Sequence, residues 1–154
     1  MALLKFHTTQ KSTRMPEERR ESLAFGKLGE QLAARYLEDK GYIILEHNYR
    51  RGHLEIDLIA LAPTPQSCGQ PPSGKGATGE LVIVEVKSRA ADTLLQPEDA
   101  VDHKKRLALI RLANEYVKTH NRKENVRFDI VTILSTDHGA ELNHLKNAYN
   151  VMTF

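Results

Sequence analysis

Two short segments of the chain put acidic side chains where apolar ones would be expected. In Leu54-Glu55-Ile56-Asp57-Leu58-Ile59-Ala60-Leu61 and in Leu81-Val82-Ile83-Val84-Glu85-Val86-Lys87, carboxylates interrupt runs of Leu, Ile and Val. Residues two apart in a strand share a face and lie about 6.5 Å apart. Glu55 should therefore point with Asp57, and Glu85 with Lys87 and Arg89. A carboxylate and an ammonium at the end of a buried strand are costly unless they pair or bind a cation. A hard divalent ion takes carboxylate oxygens, often only one or two, with water and substrate phosphate completing its shell. Asp57 and Glu85 on adjacent strands would supply that pair. Lys87 would stand beside the ion, placed to touch a nucleophilic water or a phosphate oxygen. Taken alone, Glu-x-Lys after four apolar residues fits a strand-edge ion pair equally well. Glu-Ile-Asp on the preceding strand makes the pattern specific.

A third acid belongs with these two. In Gly26-Lys27-Leu28-Gly29-Glu30 the helical period puts Glu30 about 140° from Phe25, on the flank of the apolar stripe. From there it can reach over the sheet edge towards the same place, with Gly26 leaving room one turn earlier. Taken alone, Glu30 would be a solvated helix carboxylate.

These segments resemble a known family. Gly26-x-x-Gly29-Glu30, Asn48, Glu55-Ile56-Asp57-Leu58-Ile59 and Val84-Glu85-Val86-Lys87-x-Arg89 match the YraN-like uncharacterised bacterial proteins, as do Arg127-Phe128-Asp129-Ile130-Val131 and Asn147-Ala148-Tyr149. The resemblance runs over residues 24 to 150. Two departures touch no proposed ligand: Leu54 stands where glycine usually precedes Glu-Ile-Asp, and the Pro/Gly stretch at 63–79 is long. That family is similar to the PD-(D/E)xK, restriction-endonuclease-like superfamily and to archaeal Holliday-junction resolvases. The resemblance implies metal held by Asp57 and Glu85 with the Val86 backbone carbonyl, a supporting carboxylate at Glu30, and a catalytic lysine at Lys87.

The reading is then a Mg²⁺- or Mn²⁺-dependent endonuclease acting on DNA, in branched or single-stranded form. The metal would polarise the scissile phosphate and stabilise developing charge. A free lysine titrates near pH ~10.4, so electrostatic stabilisation by Lys87 is a safer role than general base. Arg51, Arg89, Lys104 and Lys105, drawn from basic clusters along the chain, are the expected phosphate contacts. Two rivals stay open: a non-catalytic nucleic-acid-binding module that keeps the nuclease fold, and a protein-interaction domain whose acids only form ion pairs. DNA is favoured over RNA, a homodimer is left open, and no membrane partner is expected.

Other chemistries lack anchors. Seven histidines are scattered without zinc-ligand spacing, and neither Gly-x-x-x-x-Gly-Lys-Ser/Thr nor Gly-x-Gly-x-x-Gly occurs. The single cysteine, Cys68, allows no intramolecular disulfide, which fits a reducing, cytoplasmic setting. A net charge of +2 does not by itself announce a nucleic-acid partner.

The elements that must position these residues follow from period. With 154 residues, 40% hydrophobic and 27% charged, the chain suits one globular domain, residues 17–154, behind a flexible tail at 1–16. Phe25, Leu28, Leu32, Ala33, Tyr36 and Leu37 predict a helix over about 20–40, ended by Gly41. Strands are expected around Tyr42–Arg50 and Leu54–Leu61, joined by a turn at Arg51-Gly52. Residues 63–79, with Pro63, Pro65, Pro71 and Pro72 among glycines, predict a flexible hairpin tip. Leu81–Lys87 is apolar on both faces and should be central. Pro97, Glu98, Asp99 and Asp102 mark the start of a helix running to about His120. A last strand covers Val126–Leu134, and Glu141–Phe154 is ambiguous. The order α-β-β-β-α-β predicts the α/β class: a restriction-endonuclease-like core with a mixed central sheet flanked by helices.

Overall fold

A computed structural model describes residues 17–64, 79–90, 102–136 and 138–149. The expected tail at 1–16, most of the Pro/Gly stretch with Cys68, the helix start at Pro97 and residues 150–154 lie outside them.

The first helical period becomes α1 (Glu17–Asp39). Its buried residues are Gly29, Ala33, Ala34 and Leu37; Ala33 and Leu37 are on the predicted stripe and Leu32 and Tyr36 pack beside them, but Leu28 is 50% exposed. The cause is a close approach. A Cβ at Gly29 would overlap the Ser88 hydroxyl and lie 3.2 Å from Ser88 Cβ. The helix therefore docks on its small residues, and Leu28 turns towards solvent. Its end is a Schellman motif: the Gly41 amide donates to the Glu38 carbonyl (2.9 Å) and the Tyr42 amide to the Leu37 carbonyl (3.0 Å). Gly41 takes φ 84°, which an L side chain resists.

β1 (Ile43–Arg51) and β2 (Leu54–Leu61) form a hairpin across Gly52-His53, and β3 (Leu81–Ala90) runs antiparallel to β2. α2 (His103–Thr119) crosses over to β4 (Val126–Thr136), which lies parallel to β3. Asp102 sits at its N-cap, where its carbonyl accepts the Arg106 amide at 2.9 Å. β5 (Gly139–Tyr149) then returns antiparallel to β4. The mixed sheet has the order β1-β2-β3-β4-β5, with β3 in the middle.

β5 is one element more than the predicted order. Its sequence, GAELNHLKNAY, offers no sustained alternation. The ladder to β4 shifts between Phe128 and Ile130, and Asn147 takes φ 52° nearby. A bulge of that kind resets which side chains face inward, so an edge strand can be real without a period of two.

One helix covers each face of the sheet. Leu58, Val82, Val84 and Val131 pack with Ala33 and Leu37 of α1. Ile59, Leu81, Ile83 and Ile130 pack with Leu109 and Leu112 of α2. Both faces of β3 are thus dry, which is why Leu81–Val84 is apolar without alternation. Truncating such a side chain to Ala costs about 2–5 kcal/mol. Among the described residues no helix is long and apolar enough to cross a membrane.

Candidate metal centre

β2 and β3 pair from Leu61↔Leu81 to Leu58↔Val84, and there the ladder ends. Asp57 and Glu85 are the next residues on the two strands. Beyond them β3 continues against β4 while β2 stays with β1. A side chain bridges the fork: Asp57 Oδ2 accepts the Val86 amide at 2.7 Å. The alternation of β2 breaks at this point. Ile56 joins Ile59 on the α2 side although Leu58, between them, belongs to the α1 side. Glu55 and Asp57 both lie within electrostatic reach of Glu30, and Glu55 has its own ion pair. It pairs with Arg50 across the hairpin, at 2.6 Å.

Glu85 is the most deeply placed acid of this set, 1% exposed, on a strand flanked by apolar neighbours. Its Oε1 receives two ammoniums, Lys87 Nζ at 2.7 Å and Lys105 Nζ from the first turns of α2. Its Oε2 is buried and has no hydrogen-bond partner. An orphaned carboxylate oxygen in such a place is expensive, and it is the kind of atom a hard cation satisfies. Burial first, and then the charge of Glu85, push the Asp57 carboxyl up to about 7, against the pull of the Val86 amide and Lys105. The chemistry of the donor set fits a divalent ion with two protein carboxylates and otherwise water or phosphate.

Glu30 is near enough to bear on Asp57 through its charge. Burial, and next the charge of Glu55, raise its own pKa. Its Oε2 is held by Asn48 Nδ2 at 2.9 Å, and Asn48 sits at φ 52° on β1. Among the described residues no three His, Cys, Asp or Glu side chains gather to hold an ion. Asp57 and Glu85 are therefore brought together, and Glu30 stands apart on Asn48. Val86, expected to offer its carbonyl, meets Asp57 through its N–H.

The predicted phosphate contacts fall in several places. Lys104 is exposed on α2, and Arg89 is half-buried two residues beyond Lys87. Arg51 lies 3.4 Å from the Tyr49 hydroxyl and 3.5 Å from Glu115. Lys105 is bound to Glu85, where sequence reasoning did not put it. The signal was present: Lys105, Leu109, Leu112 and Tyr116 share one face at helical spacing, so Lys105 had to enter the α2 side of the sheet. It also lines a cleft of about 270 Å³ with His53, Leu54, Glu55, Ala108 and Leu109.

A second charged cluster occupies the opposite face. Buried Asp129 accepts from Arg127 Nε (2.9 Å) and Nη2 (3.0 Å), His144 Nε2 (2.8 Å) and the Asn147 amide (2.9 Å). Arg127 also donates to the Tyr42 hydroxyl at 3.0 Å and pairs with Glu80. Burial would raise the Asp129 pKa, but His144, Arg127 and the Asn147 amide outweigh it and hold it low. This cluster ties β4 to β5 and to the entry of β1.

The sequence model of the Uncharacterised protein family UPF0102 matches residues 29–133. The chain belongs to that family. A UPF0102 protein of Bacteroides thetaiotaomicron is 38% identical over 124 residues, 80% of this chain and 90% of its own length. Another from Parabacteroides distasonis has the same identity and coverage. One from Syntrophus aciditrophicus is 37% identical over 132 residues, 85% of this chain and 92% of its own. The span shared with the UPF0102 model opens at Gly29-Glu30 and takes in Asn48, Asp57, Glu85, Lys87, Lys105 and Asp129.

Proposed function

We propose that this UPF0102 protein is a metal-dependent endonuclease of the PD-(D/E)xK, restriction-endonuclease-like type, hydrolysing phosphodiesters of branched or single-stranded DNA in the cytoplasm. The observation that carries this reading is the state of Glu85: buried, one oxygen on two ammoniums, the other without a partner, next to Asp57 at the fork of β2 and β3. Asp57 and Glu85 would hold Mg²⁺ or Mn²⁺, which supplies polarisation of the phosphate and a more acidic water when bound. The Val86 amide orients Asp57. Lys87 neutralises charge on a phosphate oxygen brought to the site, and the burial of Glu85 keeps that interaction in a low-dielectric setting where it is strong. Asn48 holds Glu30, whose charge is still felt at Asp57.

The double lysine pairing of Glu85 favours one of the two rivals, a protein-interaction domain whose acids only make ion pairs. Purified protein incubated with branched, single-stranded and duplex DNA, in Mn²⁺ or in chelator, separates the two. The enzyme nicks or cleaves only with metal, and Asp57→Asn abolishes the cleavage. No cleavage of any of these substrates with Mg²⁺ or Mn²⁺ would leave the rival standing.

A further inference from the structure

Lys105 joins Asp57, Glu85 and Lys87 as the fourth charged group of the site. Its ammonium shares Glu85 Oε1 with Lys87. Asp57 and Glu85 also both act on it electrostatically. Counted with Asp57 ionised and with Glu30 left to Asn48, two carboxylates face two ammoniums, so the cluster is balanced as it stands. Adding a divalent ion would leave two uncompensated positive charges in a largely buried place, which is unfavourable unless something leaves or an anion arrives. The two lysines are not equal in this respect. Lys87 is on β3, two residues from Glu85, and its side chain is 23% exposed. Lys105 is 43% exposed, is carried by a different element and lines the open cleft beside His53 and Glu55. It can swing out without dragging the central strand.

We infer that Lys105 is a built-in counter-cation that competes with the divalent metal for Glu85, and that its release couples metal binding to phosphate binding. This rests on the reading of Asp57 and Glu85 as metal ligands. With no anion present, the metal must bring its charge to the free Oε2 of a carboxylate whose Oε1 already holds two ammoniums, and affinity is low unless Lys105 leaves. With a phosphodiester present, the freed Lys105 pairs with phosphate oxygen at the mouth of the cleft, and the same displacement becomes favourable. By reciprocity the metal then tightens DNA by the factor by which DNA tightens the metal. The chain would stay metal-poor until substrate arrives. The chemical class of the coupled ligand is a phosphodiester anion, and no covalent step is involved.

The test is calorimetric titration of Mn²⁺ into the full chain, for wild type and for Lys105→Met, without DNA and with a short non-cleavable phosphorothioate duplex. Lys105→Met should bind Mn²⁺ about tenfold or more tighter than wild type without DNA, and the gap should narrow when the duplex is present. Lys105→Arg, which keeps the positive charge, should stay closer to wild type. A second readout needs no variant: on addition of Mg²⁺ plus duplex, the wild-type Lys105 side-chain NMR signal should shift away from that of its carboxylate-bound state. Equal Mn²⁺ affinities for wild type and Lys105→Met overturn the competition but leave the metal centre intact. Failure of both proteins to bind Mn²⁺ overturns the metal centre and the competition together. A Lys105 signal that does not move while Mg²⁺ binds overturns the competition alone.

Discussion

The Val86 amide donates to Asp57 Oδ2 at 2.7 Å, at the place where β2 and β3 cease to pair. One side chain thus continues the strand-to-strand connection and at the same time fixes a carboxylate next to Glu85. An amide bond to an ionised acceptor contributes about 1.5–3 kcal/mol. It works against the burial and the neighbouring negative charge that make ionised Asp57 unfavourable. The contact that holds the site favours the ionised Asp57 that burial and Glu85 disfavour.

That conflict has a signed pH dependence in metal-free protein. Asp57 titrates at about 7 in the fold against an ordinary 3.8. Between those values the folded state holds the extra proton, so the Asp57 contribution to stability falls as pH rises through the window. Asp57→Asn cannot ionise, and its carbonyl oxygen still accepts the Val86 amide. The variant should melt several degrees above wild type at pH above 7, and the difference should shrink towards pH 4. Thermal melts across that range check it; a variant less stable than wild type on the alkaline side would contradict the account.

Two glycines three residues apart on α1 should respond oppositely to the same change. Gly26 has nothing within 4 Å of an added Cβ, and Gly26→Ala should gain up to ~1 kcal/mol from helix propensity alone. At Gly29 the new methyl meets Ser88, whose Cβ cannot move without the central strand. Gly29→Ala should lose about 1–3 kcal/mol through overpacking, partly offset by the same propensity gain. Urea unfolding of both variants decides it, and equal effects would mean that α1 does not rest on Ser88.

Much of the architecture is legible in the sequence because period carries it. The apolar run Leu81–Val84 requires a strand covered on both faces, and the spacing Leu109, Leu112, Tyr116 requires a helix lying on the sheet. Features that period does not carry stay hidden. The docking of α1 depends on a glycine–serine contact between residues 59 positions apart, which no helical stripe encodes, so the stripe alone puts Leu28 inside. β5 is masked by its bulge. In the site, residue types point to Asp57, Glu85 and Lys87, but nothing in the pattern shows that the β2–β3 ladder ends beside them or that Glu55 is taken up by Arg50. Lys105 reads as surface when its charge is weighed before its helical position.

The Arg127–Asp129 cluster should behave as a brace on the side of the sheet away from the proposed metal. Asp129 is fully buried with four hydrogen bonds, so Asp129→Asn leaves Arg127 with only the half-exposed Glu80 as counter-charge and should cost about 3–5 kcal/mol. Glu80, 47% exposed on the same arginine, should cost under about 1 kcal/mol as Gln. Because the Asp129 pKa is held below its ordinary value, its contribution is present above that ordinary value and is lost as pH falls through the lower folded one. Wild type should therefore lose stability on acidification more steeply than Asp129→Asn. Denaturant titrations at neutral and acidic pH test both statements, and a larger loss from Glu80→Gln than from Asp129→Asn would sink the brace.

Affinity for DNA separates holding an ion from holding a phosphate. On the proposed reading Asp57 would stand in the path of a phosphate and, without metal, its charge would repel DNA. Asp57→Asn should then leave metal-free DNA affinity equal to wild type or higher, while removing the gain that Mn²⁺ brings. Lys104 is exposed on α2, away from the Glu85 pairing, and its role would be charge neutralisation of the backbone. Lys104→Ala should weaken DNA binding with and without metal alike. It should also lower the slope of log affinity against log salt by about 0.7–0.9, the value for a single neutralised phosphate. Fluorescence anisotropy over a salt series, in chelator and in Mn²⁺ with non-cleavable DNA, reads all of these from one set of curves. The opposite pattern, in which Asp57→Asn weakens metal-free binding and Lys104→Ala changes nothing, would place the DNA somewhere other than the fork between β2 and β3.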